Sequence, residues 1–158
     1  MWNKIKPYVI SVAIALAVGG LSALLTRNGM TLYQDKIQPP LSPPMWLFPV
    51  VWSILYILMG IGAARVYLKH TDMTEEVTGA LVTYAFQLAV NFFWSLIFFN
   101  LQAYLFAFIW LVLLWLLIIA MIVKFKKIDR LAAWLQIPYL IWVTFAGYLT
   151  FAVWVLNK

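Results

Sequence analysis

The chain has 158 residues, of which 66% are hydrophobic and only 10% charged, and its net charge is +6. Soluble domains run nearer ~45–50% apolar and ~25% charged, and a core of this length could not hide so much apolar surface. There is no cysteine, so disulfides, thiolate catalysis and cysteine-bound metals are excluded.

Five apolar stretches are predicted, at residues 8–26, 46–68, 79–99, 101–123 and 132–156. Each is close to the ~20 residues that carry a helix across a ~30 Å hydrocarbon core. The apolar character is continuous, not alternating, which points to helices and away from a barrel. The expected fold is therefore an all-α integral membrane protein: one membrane domain over 1–158, built as a five-transmembrane-helix bundle. The first stretch follows Lys4 and Lys6 as a signal peptide would. It is too long for a signal h-region and lacks a small-residue cleavage site, so it reads as a mature helix.

The basic residues sit at span ends. Lys4, Lys6, Arg65, Lys69, Lys124, Lys126, Lys127 and Arg130 fall on one side, against Arg27, Lys36 and Lys158 on the other. That bias predicts a cytoplasmic N-terminus and an outside C-terminus. It also assigns the positive charge to lipid headgroups, with no nucleic acid as partner. The longest connection, residues 27–45, lies on the outer side. Five of the seven prolines fall between Pro39 and Pro49. The pairs Pro39–Pro40 and Pro43–Pro44 fix φ and push their preceding residues out of helix. The segment is thus stiff, and reads either as a rigid connector or as a lid over a cavity between helices.

Within the spans there is no Asp, Glu or Lys, and the single histidine, His70, is in a loop. This removes buried proton-coupling groups, axial histidines for haem, His–carboxylate metal sites and a Ser–His relay. Arg65, at a span end, is expected to snorkel. Gln87 and Asn91, four apart, share a helix face with Trp94, Ser95 and Phe98. The two amides serve either as interhelical glue or as ligand contacts. The second span carries a stripe of Pro49, Trp52, Ser53, Tyr56 and Gly60. The fifth carries Gln136, Pro138, Tyr139, Trp142, Ala146 and Leu149, and Pro138 should kink it by freeing the carbonyl of Trp134. Trp2, Trp46, Trp134 and Trp154 lie at span ends as an interfacial belt. Trp52, Trp94 and Trp142 lie deeper, where rings turned inward would wall a pocket for a planar apolar ligand.

Three patches carry a family resemblance. They are Tyr33-Gln-Asp-Lys-Ile-Gln-Pro39-Pro-Leu-Ser-Pro43-Pro44-Met-Trp46-Leu-Phe48-Pro49-Val-Val-Trp52-Ser-Ile-Leu-Tyr56, then Gln87-Leu-Ala-Val-Asn91-Phe-Phe-Trp94-Ser-Leu-Ile-Phe98-Phe99, then Ile137-Pro138-Tyr139-Leu-Ile-Trp142-Val-Thr-Phe145-Ala146. In order and spacing the chain resembles the translocator protein family (TspO/MBR, tryptophan-rich sensory proteins, peripheral benzodiazepine receptors), in its bacterial type. The resemblance implies a five-helix, usually dimeric bundle whose cavity is closed by the first loop. It implies a receptor or sensor that binds porphyrins, haem-related tetrapyrroles and benzodiazepine-type ligands. Light- and oxygen-dependent protoporphyrin breakdown, and transport of porphyrin or another lipophile, stay open as alternatives. No cofactor is required and no metal site is implied; porphyrin is ligand or substrate.

Carried over by position, Trp52, Asn91, Trp94, Trp142, Phe145 and Ala146 become pocket candidates, with Trp52 and Trp142 the photochemical pair. The stripe residues Pro49, Tyr56, Gln87 and Tyr139, and Trp46 and Phe48 of the first patch, complete the candidate ligand site. Tyr33, Pro39, Pro43 and Pro44 are the candidate lid. The chain departs from the family at Gln38, where a lysine is common, and at Leu149–Thr150, where a Leu–Asn pair is common. The sterol-recognition pattern of animal members fails, because the next basic residue after Tyr148 is Lys158; no sterol partner is expected. Val82 and Phe86 replace a glycine pair linked to dimer contact. Ala85 with Ala89, or Gly60 with Ala64, offers a substitute small-residue face for a homodimer.

Overall fold

A computed structural model describes residues 1–158. It contains helices α1 (Trp2–Gln34), α2 (Leu47–Tyr67), α3 (Thr74–Ser95), α4 (Tyr104–Ile128), the short α5 (Arg130–Trp134) and α6 (Ile137–Asn157). Five of the helical segments are long and apolar enough to span a membrane, α3 with the turn after it and α5 with α6 each counting as one. The chain is an all-α membrane protein. Around the bundle α1 packs on α2 and α3, α2 on α5, and α4 on α3, α5 and α6, which closes a ring. Large apolar side chains face outward on every side, among them Ile10, Ile14 and Leu24 of α1 and Val112, Trp115 and Leu116 of α4. A helix apolar all round belongs in lipid.

The helices overrun the hydropathy boundaries, most of all at α1. Its 33 residues rise about 50 Å at ~1.5 Å per residue, well beyond a ~30 Å core. The predicted loop at 27–45 is therefore shortened to 35–46. Tertiary contacts hold the extra turns. Tyr33 is buried against Phe98 and Phe99, at ring distances of 5.2 and 5.7 Å. A Cβ on Gly29 would come within 2.6 Å of Asn100 Oδ1, so only glycine lets the backbones approach this closely. Tyr33, expected in the lid, is in fact the last anchored turn of α1. A π-helical turn, Leu96–Asn100, ends the third span.

At the other end, the fifth span is broken. Pro138 takes the second position of α6, and the predicted kink is a full interruption at residues 135–136 between α5 and α6. Asp129 caps α5, its Oδ1 accepting from the N–H groups of Leu131 (2.9 Å) and Ala132 (3.2 Å). Its Oδ2 pairs with Arg65 Nη2 at 3.0 Å. Arg65 is thus tied to Asp129, where the sequence suggested free snorkelling. The pair joins the ends of α2 and α4. Asp129→Ala is expected to cost about 1.5 kcal/mol, mostly the lost cap. Asp129→Asn keeps the cap and forfeits only a part-exposed pair worth ~0.2–1 kcal/mol. Detergent unfolding of both variants checks the order; equal losses would refute the capping role.

Gly60 and Ala64 are inside the bundle. A Cβ on Gly60 would meet Val12 Cα at 2.6 Å, and Ser11 Oγ donates to Gly60 O at 2.7 Å. This removes the pair as an outward dimer face. Ala85, Ala89, Val82 and Phe86 remain exposed on α3.

Candidate ligand site

A cavity of about 140 Å³ opens between α1, the start of α2 and the end of α3. Its aromatic wall is Phe48, Trp52 and Tyr56 from α2, and Trp94 and Phe99 from the third span; Pro49 completes the α2 side. The stripe spacing of α2 accounts for this wall: residues 48, 49, 52 and 56 fall on one face. Trp52 lies 5.7 Å from Tyr56 and 6.2 Å from Tyr139, ring to ring. Trp94 stacks on Phe98 at 5.1 Å. The indole N–H of Trp94 is buried and has no hydrogen-bond partner in the protein. A buried donor in that state costs free energy, and a ligand acceptor would relieve it.

The opposite wall was not anticipated from the sequence. Gly19, Ser22, Ala23, Thr26 and Met30 of α1 line the cavity. They are small or slender residues at three- and four-residue steps, a pattern that marks a close-packed helix face. The side chains there are mostly too small to announce a site individually. Ser95 also lines it. One hydroxyl of this wall turns inward to its own helix, Thr26 Oγ1 donating to Ser22 O at 2.8 Å. The polar side chains lining the pocket are Ser22, Thr26, Tyr56 and Ser95, and the Trp94 N–H is covered in this closed form.

The other candidates lie around this cavity. Trp142 and Phe145 are one layer behind it: Trp142 meets Phe48 at 5.9 Å and Phe145 at 5.5 Å. Ala146 is buried on α6, its carbonyl taken by Thr150 Oγ1 at 2.7 Å. Trp46, 67% exposed, is outside the cavity, as an interfacial ring would be.

Gln87 and Asn91 form a polar knot. Asn91 Nδ2 donates to Tyr139 Oη at 2.8 Å, and Tyr139 Oη donates to Gln87 Oε1 at 2.7 Å. Tyr56 Oη reaches Asn91 Oδ1 at a long 3.5 Å, and Gln87 Nε2 meets Met59 Sδ at 3.9 Å. All are buried. The two amides bind α2, α3 and α6 to one another, which is the glue reading of the pair. The cavity reaches the knot only through Tyr56.

The proline segment lies across the same end. Pro39 is buried, Pro43 partly so and Pro44 exposed. Asn157 grips both backbone groups of Ile37, accepting from its N–H at 3.0 Å and donating to its O at 3.1 Å. Tyr148 Oη donates to Pro40 O at 2.6 Å. Gln38, at the family's lysine position, turns its amide back onto Tyr33 O at 2.9 Å and Lys36 O at 3.2 Å. Ser42 Oγ holds Pro39 O at 2.7 Å, and Leu41 between them is left-handed at φ 70°. The segment is strapped to both α1 and α6.

Comparison with known proteins identifies the family. The TspO/MBR family model matches residues 11–155. The chain is 44% identical over 144 residues to the protein CrtK of Rhodobacter capsulatus, covering 91% of this chain and 89% of that one. It is 37% identical over 158 residues to the tryptophan-rich protein TspO of Chlorobaculum tepidum, covering 99% of both. With the translocator protein of Bos taurus it shares 33% over 156 residues, 96% of this chain and 92% of that one. The match over residues 11–155 and the near full-length similarity to bacterial and animal members establish that the chain belongs to the TspO/MBR family.

Proposed function

We propose that the protein is a membrane receptor or sensor that binds a flat, apolar ligand of the porphyrin class in the cavity between α1, α2 and α3. The observation that carries this reading is the lining of the pocket, the rings of Phe48, Trp52, Tyr56, Trp94 and Phe99 facing the small side chains of α1. Flat walls favour a flat ligand, and the Trp94 N–H, covered and unpartnered in the closed form, becomes a donor to a ring-edge or carboxylate oxygen once the wall opens. At about 140 Å³ the cavity is smaller than the ~300 Å³ at which ordinary ligand sites begin. Admission of a tetrapyrrole therefore requires the Phe48–Trp142 and Trp52–Tyr139 ring contacts to part. In this reading residues 35–46 act as the lid and Trp142 becomes a wall only in the open form. The proposed setting is a bacterial cell membrane with the basic end cytoplasmic, and the exposed α3 face at Ala85 and Ala89 meets a second copy.

Protoporphyrin titrated into the detergent-purified protein in the dark should give a saturable absorbance shift. Trp94→Phe keeps an aromatic wall but removes the donor and the five-membered ring, and should weaken binding by at least about fivefold, the worth of one hydrogen bond. Absence of a saturable shift, or unchanged affinity in both Trp94→Phe and Trp52→Phe, would overturn the assignment. Illumination with oxygen then separates functions. A stable bound spectrum marks a receptor, whereas protein-dependent loss of the porphyrin band over many turnovers marks a photodegrading enzyme with Trp52 beside its substrate.

A further inference from the structure

The opposite, basic end of the bundle carries a second concavity unrelated to the aromatic cavity. It is a groove of about 380 Å³ lined by Ile122 and Lys126 of α4, Arg130, Ala133 and Trp134 of α5, and Ile137 of α6. We propose that this groove holds one anionic phospholipid, its phosphate between Lys126 and Arg130 and an acyl chain along Ile122 and Ile137.

Charge complementarity decides the occupant. Lys126 and Arg130 flank the helix junction at Asp129 and both border the groove. Neither has an internal counter-ion. Asp129, the nearest carboxylate in sequence, is consumed on both oxygens, by Arg65 and by the N-terminus of α5. Lys124 donates to Thr83 Oγ1 at 2.8 Å and takes no part. The rest of the groove is apolar, and Trp134, 69% exposed, stands at its lip, where an amphipathic ring sits between headgroups and chains. Free phosphate would meet the cations but gain nothing from the apolar floor. A zwitterionic headgroup brings an ammonium against two cations. A diacyl anion satisfies both parts, as basic pockets between transmembrane helices do for anionic lipids.

The test is native mass spectrometry of the full chain in detergent with equal amounts of dioleoyl phosphatidylglycerol and dioleoyl phosphatidylcholine. The wild type should retain the phosphatidylglycerol preferentially. Lys126→Gln with Arg130→Gln should cut that preference about thirtyfold, two surface cations' worth. Lys4→Gln with Lys6→Gln, at the same end, should leave it in place. An undiminished preference in the first pair, or an equal loss in both pairs, would overturn the site. Displacement of the lipid by millimolar inorganic phosphate would also overturn it, leaving an anion site only. A readout that keeps both cations uses phosphatidylglycerol brominated on its chains. Its quenching of tryptophan fluorescence should fall in Trp134→Phe, and unchanged quenching would refute the placement.

Discussion

Tyr139→Phe is expected to lower stability by about 2 kcal/mol, the largest loss from removal of a single atom in this bundle. The hydroxyl both accepts from Asn91 and donates to Gln87, at 2.8 and 2.7 Å. Its removal strands two buried amide groups at once. A stranded buried partner costs ~1–3 kcal/mol in water-soluble proteins. Inside a membrane interhelical bonds average nearer ~0.6 kcal/mol, with a maximum near ~1.7, because the unfolded helices find other partners. Two bonds of good geometry in a fully buried site should lie toward the upper end. Tyr56→Phe is the internal comparison. Its bond to Asn91 is 3.5 Å long, at the limit of a hydrogen bond, and its loss should cost well under 1 kcal/mol. Unfolding in mixed micelles, with both variants against wild type, measures the difference. If the two losses are equal, the knot does not hold the helices together and Gln87 and Asn91 are free to serve a ligand.

The knot also shows where a sequence stops being informative. That Gln87 and Asn91 share a face follows from helical spacing alone. That Tyr139 answers both follows from the packing of α6 on α4 and of α4 on α3, to which no local pattern points. The bundle itself was legible because lipid demands continuous apolar runs, and these dominate the composition. The ends were not. Hydropathy falls at Arg27 and Asn28, so a span read from it stops there, yet α1 runs on to Gln34 because Gly29 and Tyr33 seat against the π-helical turn. The Arg65–Asp129 pair joins residues far apart in the chain, and Arg65 alone looks like any snorkelling cation. In the candidate site, the α2 wall was visible as an aromatic stripe. The α1 wall was not, because glycine, serine and alanine carry no chemistry of their own. Trp142 matched the family pattern by position but stands behind Phe48, a distinction that only side-chain packing makes.

The strapped proline segment gives the second large effect. Asn157→Ala combined with Tyr148→Phe should speed dissociation of bound porphyrin about thirtyfold. Three hydrogen bonds fix residues 37 and 40 to α6. Each is exposed to solvent, where water competes, so the low half of the usual ~0.5–1.5 kcal/mol applies. Their sum is about 2 kcal/mol, which multiplies the open population by about thirty. If the ligand leaves only when the segment lifts, its off-rate rises by the same factor while its on-rate gains as well, so affinity changes less than kinetics. Either single variant should fall between, with Asn157→Ala the larger because it removes two of the three bonds. Stopped-flow displacement gives the off-rate. Hydrogen exchange at the Ile37 amide, whose N–H is bonded to Asn157, reports lifting without any ligand. Faster exchange with an unchanged off-rate would mean that the segment opens but does not gate, making it a connector. Unchanged exchange would mean that the proline pairs alone keep the segment in place, their fixed φ supplying the stiffness without the hydrogen bonds.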